Sequence, residues 1–442
     1  MLGEPLIPSA DAMDPPVSRR RPPRSRGAAI SLLRRNRDFR LLFLALLVSF
    51  AGDWFLFVAL TGLVFDLTDS PAFVAGLFAC TTVPFALFTF VGGPLADRLN
   101  RRALMVAADL VRGALALGFL FISRPSQIWL VFVLTSGISA LGAVFEPASS
   151  AAVPNLVDEE DLGTANVLSG ATWGSMLAIG AALGGLVVAA FGREAGYVGD
   201  AASFFLSAAL VLRIRRPMAE ARTPQRERPG LIAATREAFG YARRDHRVLA
   251  LLTVKGGFGL AAGMVGLLAV LALDVFHAGD RGTGWLLGAR GIGALVGPFL
   301  VRRFMRKDDL RSLFLAIPVA FGTYGLFYAT AAWAPQLSVA AALILGAHLG
   351  GGAQWTLSSY ALQTIVPDRV RGRVFAFDYG FVTFTIALSA TLAGIAAQAF
   401  DVRRVMFVLA CVALAYAVVW YLATGGVRRS LTEAEPTRAE VP

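Results

Sequence analysis

Arg37-Asp38-Phe39-Arg40 opens the apolar run LLFLALL, and 207 residues later Arg244-Asp245-His246-Arg247 opens VLALLTV. Each opening is followed by five further apolar runs, most of them long enough to cross a hydrocarbon core about 30 Å thick. A chain that repeats itself in this way is constrained to a duplicated membrane bundle. Parallel repeats with a substrate site between them are a recurrent transporter architecture, so the repeat bears on function as well as fold.

Smaller echoes follow at similar offsets, from 204 to 213 residues. Leu183, Gly185 and Phe191 of LGGLVVAAFG match Leu392, Gly394 and Phe400 of LAGIAAQAFD. Val153-Pro154-Asn155 recurs as Val366-Pro367-Asp368, and Gly93-Pro94 as Gly297-Pro298. Hydrophobic residues make up 56% of the 442 and charged residues only 16%, where a soluble domain carries about 25%. Cys80 and Cys411 lie far apart in separate apolar runs and suggest neither a disulfide framework nor a metal site.

In lipid every backbone amide must be satisfied within the protein, so runs of this length predict helices. The expected fold is an all-α integral membrane protein of two pseudo-symmetric six-helix bundles. Helices 1 to 6 are expected near 41–65, 72–95, 103–122, 127–145, 167–191 and 196–213. Helices 7 to 12 are expected near 248–273, 283–301, 312–331, 337–358, 375–399 and 404–424. The domains are then a Pro- and Arg-rich tail over 1–38, expected to be disordered, a bundle over 39–213, a linker over 214–247, a bundle over 248–424 and a tail over 425–442. No early apolar core precedes a small-residue cleavage site, so no signal peptide is expected. Within the linker, Leu231, Ala234, Ala238 and Tyr241 fall on one side of a helix opposite Arg236 and Glu237, which predicts an amphipathic helix on the membrane surface.

The net charge of +11 does not form a nucleic-acid face, because the basic residues cluster between apolar runs. With the chain ends in the cytoplasm, only Arg124, Arg193, Arg281, Arg403 and Arg404 fall on the opposite side, and Arg112, Lys255 and Arg290 within helices. Every other Lys and Arg is then cytoplasmic, as the positive-inside rule requires. The acidic loop Asp158-Glu159-Glu160-Asp161 is also placed inside, but acidic residues weigh little in that rule.

The segment between helices 2 and 3 reads GGPLADRLNRRALM. Gly93, Leu95, Ala96, Asp97, Arg98, Arg101 and Arg102 resemble the signature loop of the major facilitator superfamily, understood there as a conformational latch and not a substrate site. A glycine permits close helix approach, and a carboxylate beside arginines can make a charge-assisted latch. GDWFLFVAL, FEPASSAAVPNLV and VPDRVRGRVFAF look like one group within it, containing macrolide-efflux proteins, enterobactin exporters and mycobacterial multidrug-efflux proteins. The chain departs from family patterns in three places. Helix 4 has no arginine, Ala181-Ala182 stand where the antiporter signature of helix 5 has Gly-Pro, and the second half has no counterpart of Asp97.

Ionisable residues at membrane depth are functional candidates by default. Asp53 lies about 18 Å into helix 1, near mid-membrane, and is the candidate for binding and releasing a coupling proton. The alternative is a structural hydrogen-bonding point between helices. Asp109 and Arg112, three apart on helix 3, read as a charge network with Asp97, Glu146 and Asp378. Arg290 is open to three readings: pairing with Asp53, contact with an anionic substrate, or snorkelling to headgroups. Lys255 is expected to snorkel. His348 and Trp355 on helix 10 are cavity candidates, as are Phe55, Phe57 and Tyr360.

There is no P-loop, HExxH motif or nucleophile elbow, so neither an enzyme nor an ATP-driven pump is supported. No cofactor is expected, and a proton gradient is the energy source. The resemblance implies a monomeric, proton-coupled exporter of a hydrophobic or amphipathic small molecule such as a drug, antibiotic or siderophore. The alternatives are an importer on the same scaffold or a transport-inactive receptor.

Overall fold

The computed structural model describes residues 27–218, 231–305 and 309–433. Among the described residues, twelve helices are long and apolar enough to cross a membrane. The first six are α1 Arg37–Thr68, α2 Pro71–Arg98, α3 Arg101–Gly118, α4 Ile128–Leu156, α5 Leu162–Phe191 and α6 Arg193–Leu212. The second six are α7 His246–Val275, α8 Gly279–Phe304, α9 Leu310–Ala331, α10 Leu337–Ile365, α11 Asp368–Ala399 and α12 Val402–Ala423. An even number of crossings returns the chain to the face it left. We call that the terminal face and its opposite the distal face.

Polar residues just ahead of the apolar runs start several helices. Asn36, Asn100, Asp245, Asp309 and Asp401 each accept a backbone N–H of the helix that follows. These bonds satisfy amides that no preceding turn can serve. Several helices outlast their apolar runs on the terminal face. α4 continues to Leu156 and α10 to Ile365, while α5 already begins at Leu162 and α11 at Asp368. Hydropathy marks where a helix meets lipid, whereas the backbone ladder continues into water.

The tail expected to lack structure up to residue 38 instead carries the helix Gly27–Arg35. Its Leu32 is fully buried, the helix packs against α1 and α5, and Arg35 pairs with Asp161. The acidic loop before α5 thus has a basic partner at the start of the chain. In the linker the expected amphipathic helix forms over Leu231–Arg244. Phe239 lies 6.2 Å from Phe377 of α11, so this helix packs against the second bundle; residues 219–230 and the side chains of Leu231, Ala234, Glu237 and Ala238 lie outside the described residues.

α7 is the most enclosed span, with 78% of its apolar window buried. It breaks at Ala262, where Ser389 of α11 repairs the ladder by accepting from Gly263 N at 2.9 Å and donating to Leu260 O. Such a repair is what tolerates a break at membrane depth. Trp420 and Tyr416 of α12 donate to Ala250 O and Thr253 O of α7, both at 2.8 Å.

The two bundles meet along α5 and α8 and along α2 with α7 and α11. Gly185 and Gly284 set the first seam: a Cβ on Gly185 would lie 2.8 Å from Gly284 Cα. Backbones approach this closely only where neither residue has a side chain.

Candidate functional site

Three charge clusters lie in or between the bundles. The first joins α1 to α3. Arg112 Nη2 donates to Asp53 Oδ1 at 2.8 Å and Oδ2 at 3.1 Å, and its Nη1 donates to Asp109 Oδ1 and Ser49 Oγ, both at 3.3 Å. The guanidinium carbon stands 3.9 Å above the ring of Phe204 on α6, a cation–π contact in a desolvated setting. Asp109 is fully enclosed, while the Asp53 side chain keeps 29% of its surface exposed.

A third carboxyl belongs here. Asp200 of α6 is fully buried, with Oδ2 lacking any partner. A Cβ on Gly52 would lie 2.6 Å from its Oδ1, so Asp200 packs against the α1 backbone next to Asp53. In sequence Asp200 was findable only as a carboxylate two turns into α6, ahead of the apolar run AASFFLSAALVL. Glu146 of α4 is half-buried and makes no ion pair among the described residues.

Asp378 is not in this network. It pairs with Lys255 of α7, both residues 3% exposed, and the Lys255 ammonium lies 5.2 Å from the ring centre of Trp355. Lys255 therefore does not snorkel: a carboxylate on the adjacent α11 satisfies its charge locally, and a buried ion is stable only when so paired. Arg290 does not pair with Asp53 either, because Arg112 already holds that carboxylate. Its guanidinium carbon lies 5.9 Å from the Trp54 ring centre. His348 is buried and hydrogen-bonded through Nε2 to Tyr328 OH at 2.9 Å.

The third cluster spans the bundles at the distal face. Arg193, first residue of α6, donates from Nη1 to Asp66 Oδ2 at 2.5 Å and from Nε to Asp280 Oδ2 at 3.0 Å. Asp66 sits in the last turn of α1 and Asp280 in the first turn of α8, so one guanidinium ties the first bundle to the second. Gln398 of α11 adds a bond to Ser70 Oγ, just before α2, at 2.8 Å. None of these residues stands out in sequence, since each reads as an ordinary loop-edge polar group.

In the signature loop the surroundings of Gly93 and the side chain of Asp97 lie outside the described residues. Arg101 donates to Ala96 O at 3.2 Å and to Ala151 O and Met218 O at 2.8 Å, and Arg102 to Arg216 O at 3.2 Å. These contacts bind the ends of α2 and α4 to the chain after α6. Beyond the membrane spans, the carboxyl of Asp245 is held below the usual aspartate range, chiefly by hydrogen bonding from Arg247.

Residues 29–435 match the family model described as transmembrane secretion effector. The chain belongs to this family of major facilitator transporters. The transporter is 25% identical to the uncharacterized MFS-type transporter YfiS of Bacillus subtilis (strain 168), over 86% of this chain and 91% of that one. It is 27% identical to the multidrug efflux pump Tap of Mycobacterium bovis (strain BCG / Pasteur 1173P2), over 77% of this chain and 82% of that one. Its fold is also that of a bacterial homolog of the human lysosomal transporter Spinster, solved inward-facing and unoccupied. That likeness has a TM-score of 0.69 at 15% identity and covers 93% of this chain and 99% of the other.

Proposed function

We propose that this transporter is a monomeric secondary exporter, exchanging protons for a hydrophobic or amphipathic small molecule across the cell membrane. Both chain ends lie in the cytoplasm, so the terminal face is inner and the distal face outer. The strongly basic terminal face supports that orientation. The likeness to a multidrug efflux pump supports export of an apolar compound.

One observation carries the coupling: a single guanidinium, Arg112, is faced by Asp53 and Asp109, with Asp200 buried alongside. Carboxyls outnumber cations in a low-dielectric setting, which makes the cluster a place where protons are taken up and released. Asp53 is its accessible member. A proton on Asp53 removes the charge that ties α1 to α3.

The same helix carries Asp66 of the distal bridge, thirteen residues or about 20 Å further along. A change at Asp53 that shifts α1 therefore reaches the Arg193 bridge through one rigid element. Closure and release of that bridge would gate the outer side as the two bundles rock.

The test is transport in proteoliposomes with neutral, anionic and cationic amphipathic dyes under an imposed pH gradient. At least one dye should move against its gradient, and a protonophore should abolish the movement. Movement that persists unchanged with the protonophore present refutes proton coupling.

A further inference from the structure

Three basic residues lie well inside the membrane helices: Arg112, Lys255 and Arg290. The first is bonded to Asp53 and Asp109, the second to Asp378. Arg290 has no carboxylate partner among the described residues. Its Nε and Nη1 are shut off from the surroundings and make no hydrogen bond. Arg290 is half-buried with two of its three guanidinium nitrogens enclosed, so the group is not solvated as a snorkelling side chain would be. An uncompensated cation inside a membrane helix is costly, and such residues persist where a ligand offsets that cost.

Its position is at the junction of the bundles. Arg290 belongs to α8, yet its guanidinium approaches Trp54 of α1, the neighbour of Asp53. Three residues on along the same face of α8, Gly293 is pressed against α10, where an added Cβ would stand 2.9 Å from His348 Cβ. The surroundings on that side are aromatic: Tyr324 and Tyr328 of α9 are fully buried, and Tyr324 lies 5.3 Å from the His348 ring. The nearby groups are thus an indole, phenols and an imidazole, and none can neutralise a guanidinium.

Building on the transport reading above, we propose that Arg290 is the anchor for a carboxylate on the transported molecule, with the Trp54 ring beside it accepting the apolar body. The cargo is then an amphipathic acid. A guanidinium pairs with a carboxylate through parallel N–H···O bonds along one edge, Nε with Nη2 or Nη1 with Nη2, and on Arg290 both Nε and Nη1 are without a partner.

The experiment compares pyrenebutyrate with its methyl ester and with pyrenebutylamine, three ligands of one shape and different charge. Binding is measured on the full-length protein in phosphatidylcholine nanodiscs, with empty nanodiscs as the blank. The wild type should bind the acid about tenfold tighter than the ester, and the amine weakest. R290Q should lose that preference while ester binding changes less than about twofold, which also shows that the variant is folded. R290K should keep part of it. No measurable binding of the acid, equal affinity for acid and ester, or a preference that survives in R290Q overturns the proposal. Competition by phosphatidylglycerol that removes the acid preference also overturns it, because the anion would then be a lipid headgroup. Transport of the same probes is read separately: selective binding without transport upholds the anchor and removes the export reading.

Discussion

Arg112 of α3 donates to both carboxylate oxygens of Asp53 on α1, at 2.8 and 3.1 Å, and so pins two helices of the first bundle together. Of the pair, Asp53 is the more exposed, keeping 29% of its side-chain surface against 6% for Arg112.

Asp53→Asn removes the charge and keeps the shape. Proton-driven dye efflux in proteoliposomes should fall to background, while the protein still inserts and elutes as a folded species in detergent. Normal proton-driven efflux by this variant would take Asp53 out of the coupling.

The Lys255–Asp378 pair should show the asymmetry of buried ion pairs. Lys255→Met leaves a carboxylate unpaired and should cost about 3–5 kcal/mol of stability, whereas Lys255→Met with Asp378→Asn should recover most of it. Thermal unfolding in detergent, compared across the two singles and the double, checks the prediction. Additive losses would show that the pair is not coupled.

Gly52 allows α6 to approach α1. An alanine there would place its Cβ 2.6 Å from Asp200 Oδ1 and 2.7 Å from Ser203 Cβ, so Gly52→Ala should destabilise by about 1–3 kcal/mol. Adding Ser203→Gly should relieve part of that loss. A melting temperature unchanged by Gly52→Ala would mean that the two helices are not held so closely.

Arg193→Gln cuts both bonds of the distal bridge, to Asp66 and to Asp280. The outward-open population should rise, read as several-fold faster labelling of a cysteine placed at Phe57 by an impermeant maleimide added from the distal side. Labelling at the wild-type rate would show that the bridge does not hold that side closed.

Asp245 caps α7 through Arg247 N at 2.9 Å, and its carboxyl is lowered by the Arg247 side chain. A depressed carboxyl stabilises the fold fully above its unfolded value. That contribution fades as pH falls from the ordinary aspartate range through the folded one. Asp245→Ala should cost about 1 kcal/mol at neutral pH, and the gap to wild type should narrow in acid. A gap that stays constant with pH would place the effect elsewhere.

Twelve crossings, their pairing into two bundles and the family were all legible in the chain, because each depends on local properties. Apolar runs force helices in lipid, and a duplicated pattern repeats wherever the same solvent constraint recurs. That Asp53, Asp109, Arg112, Arg290 and Lys255 lie within the spanning helices was legible for the same reason.

Which charge meets which was decided only in three dimensions. Lys255 and Asp378 are 123 positions apart and Arg193 and Asp280 are 87 apart, and nothing in a single sequence reports that their helices are neighbours or how each is rotated about its axis. Rotation is set by side-chain packing between helices, such as Gly52 against Asp200 and Gly185 against Gly284. Depth follows from counting along a helix, but partnership follows from the azimuth at which two helices meet. That is why Arg112, and not Arg290, holds Asp53.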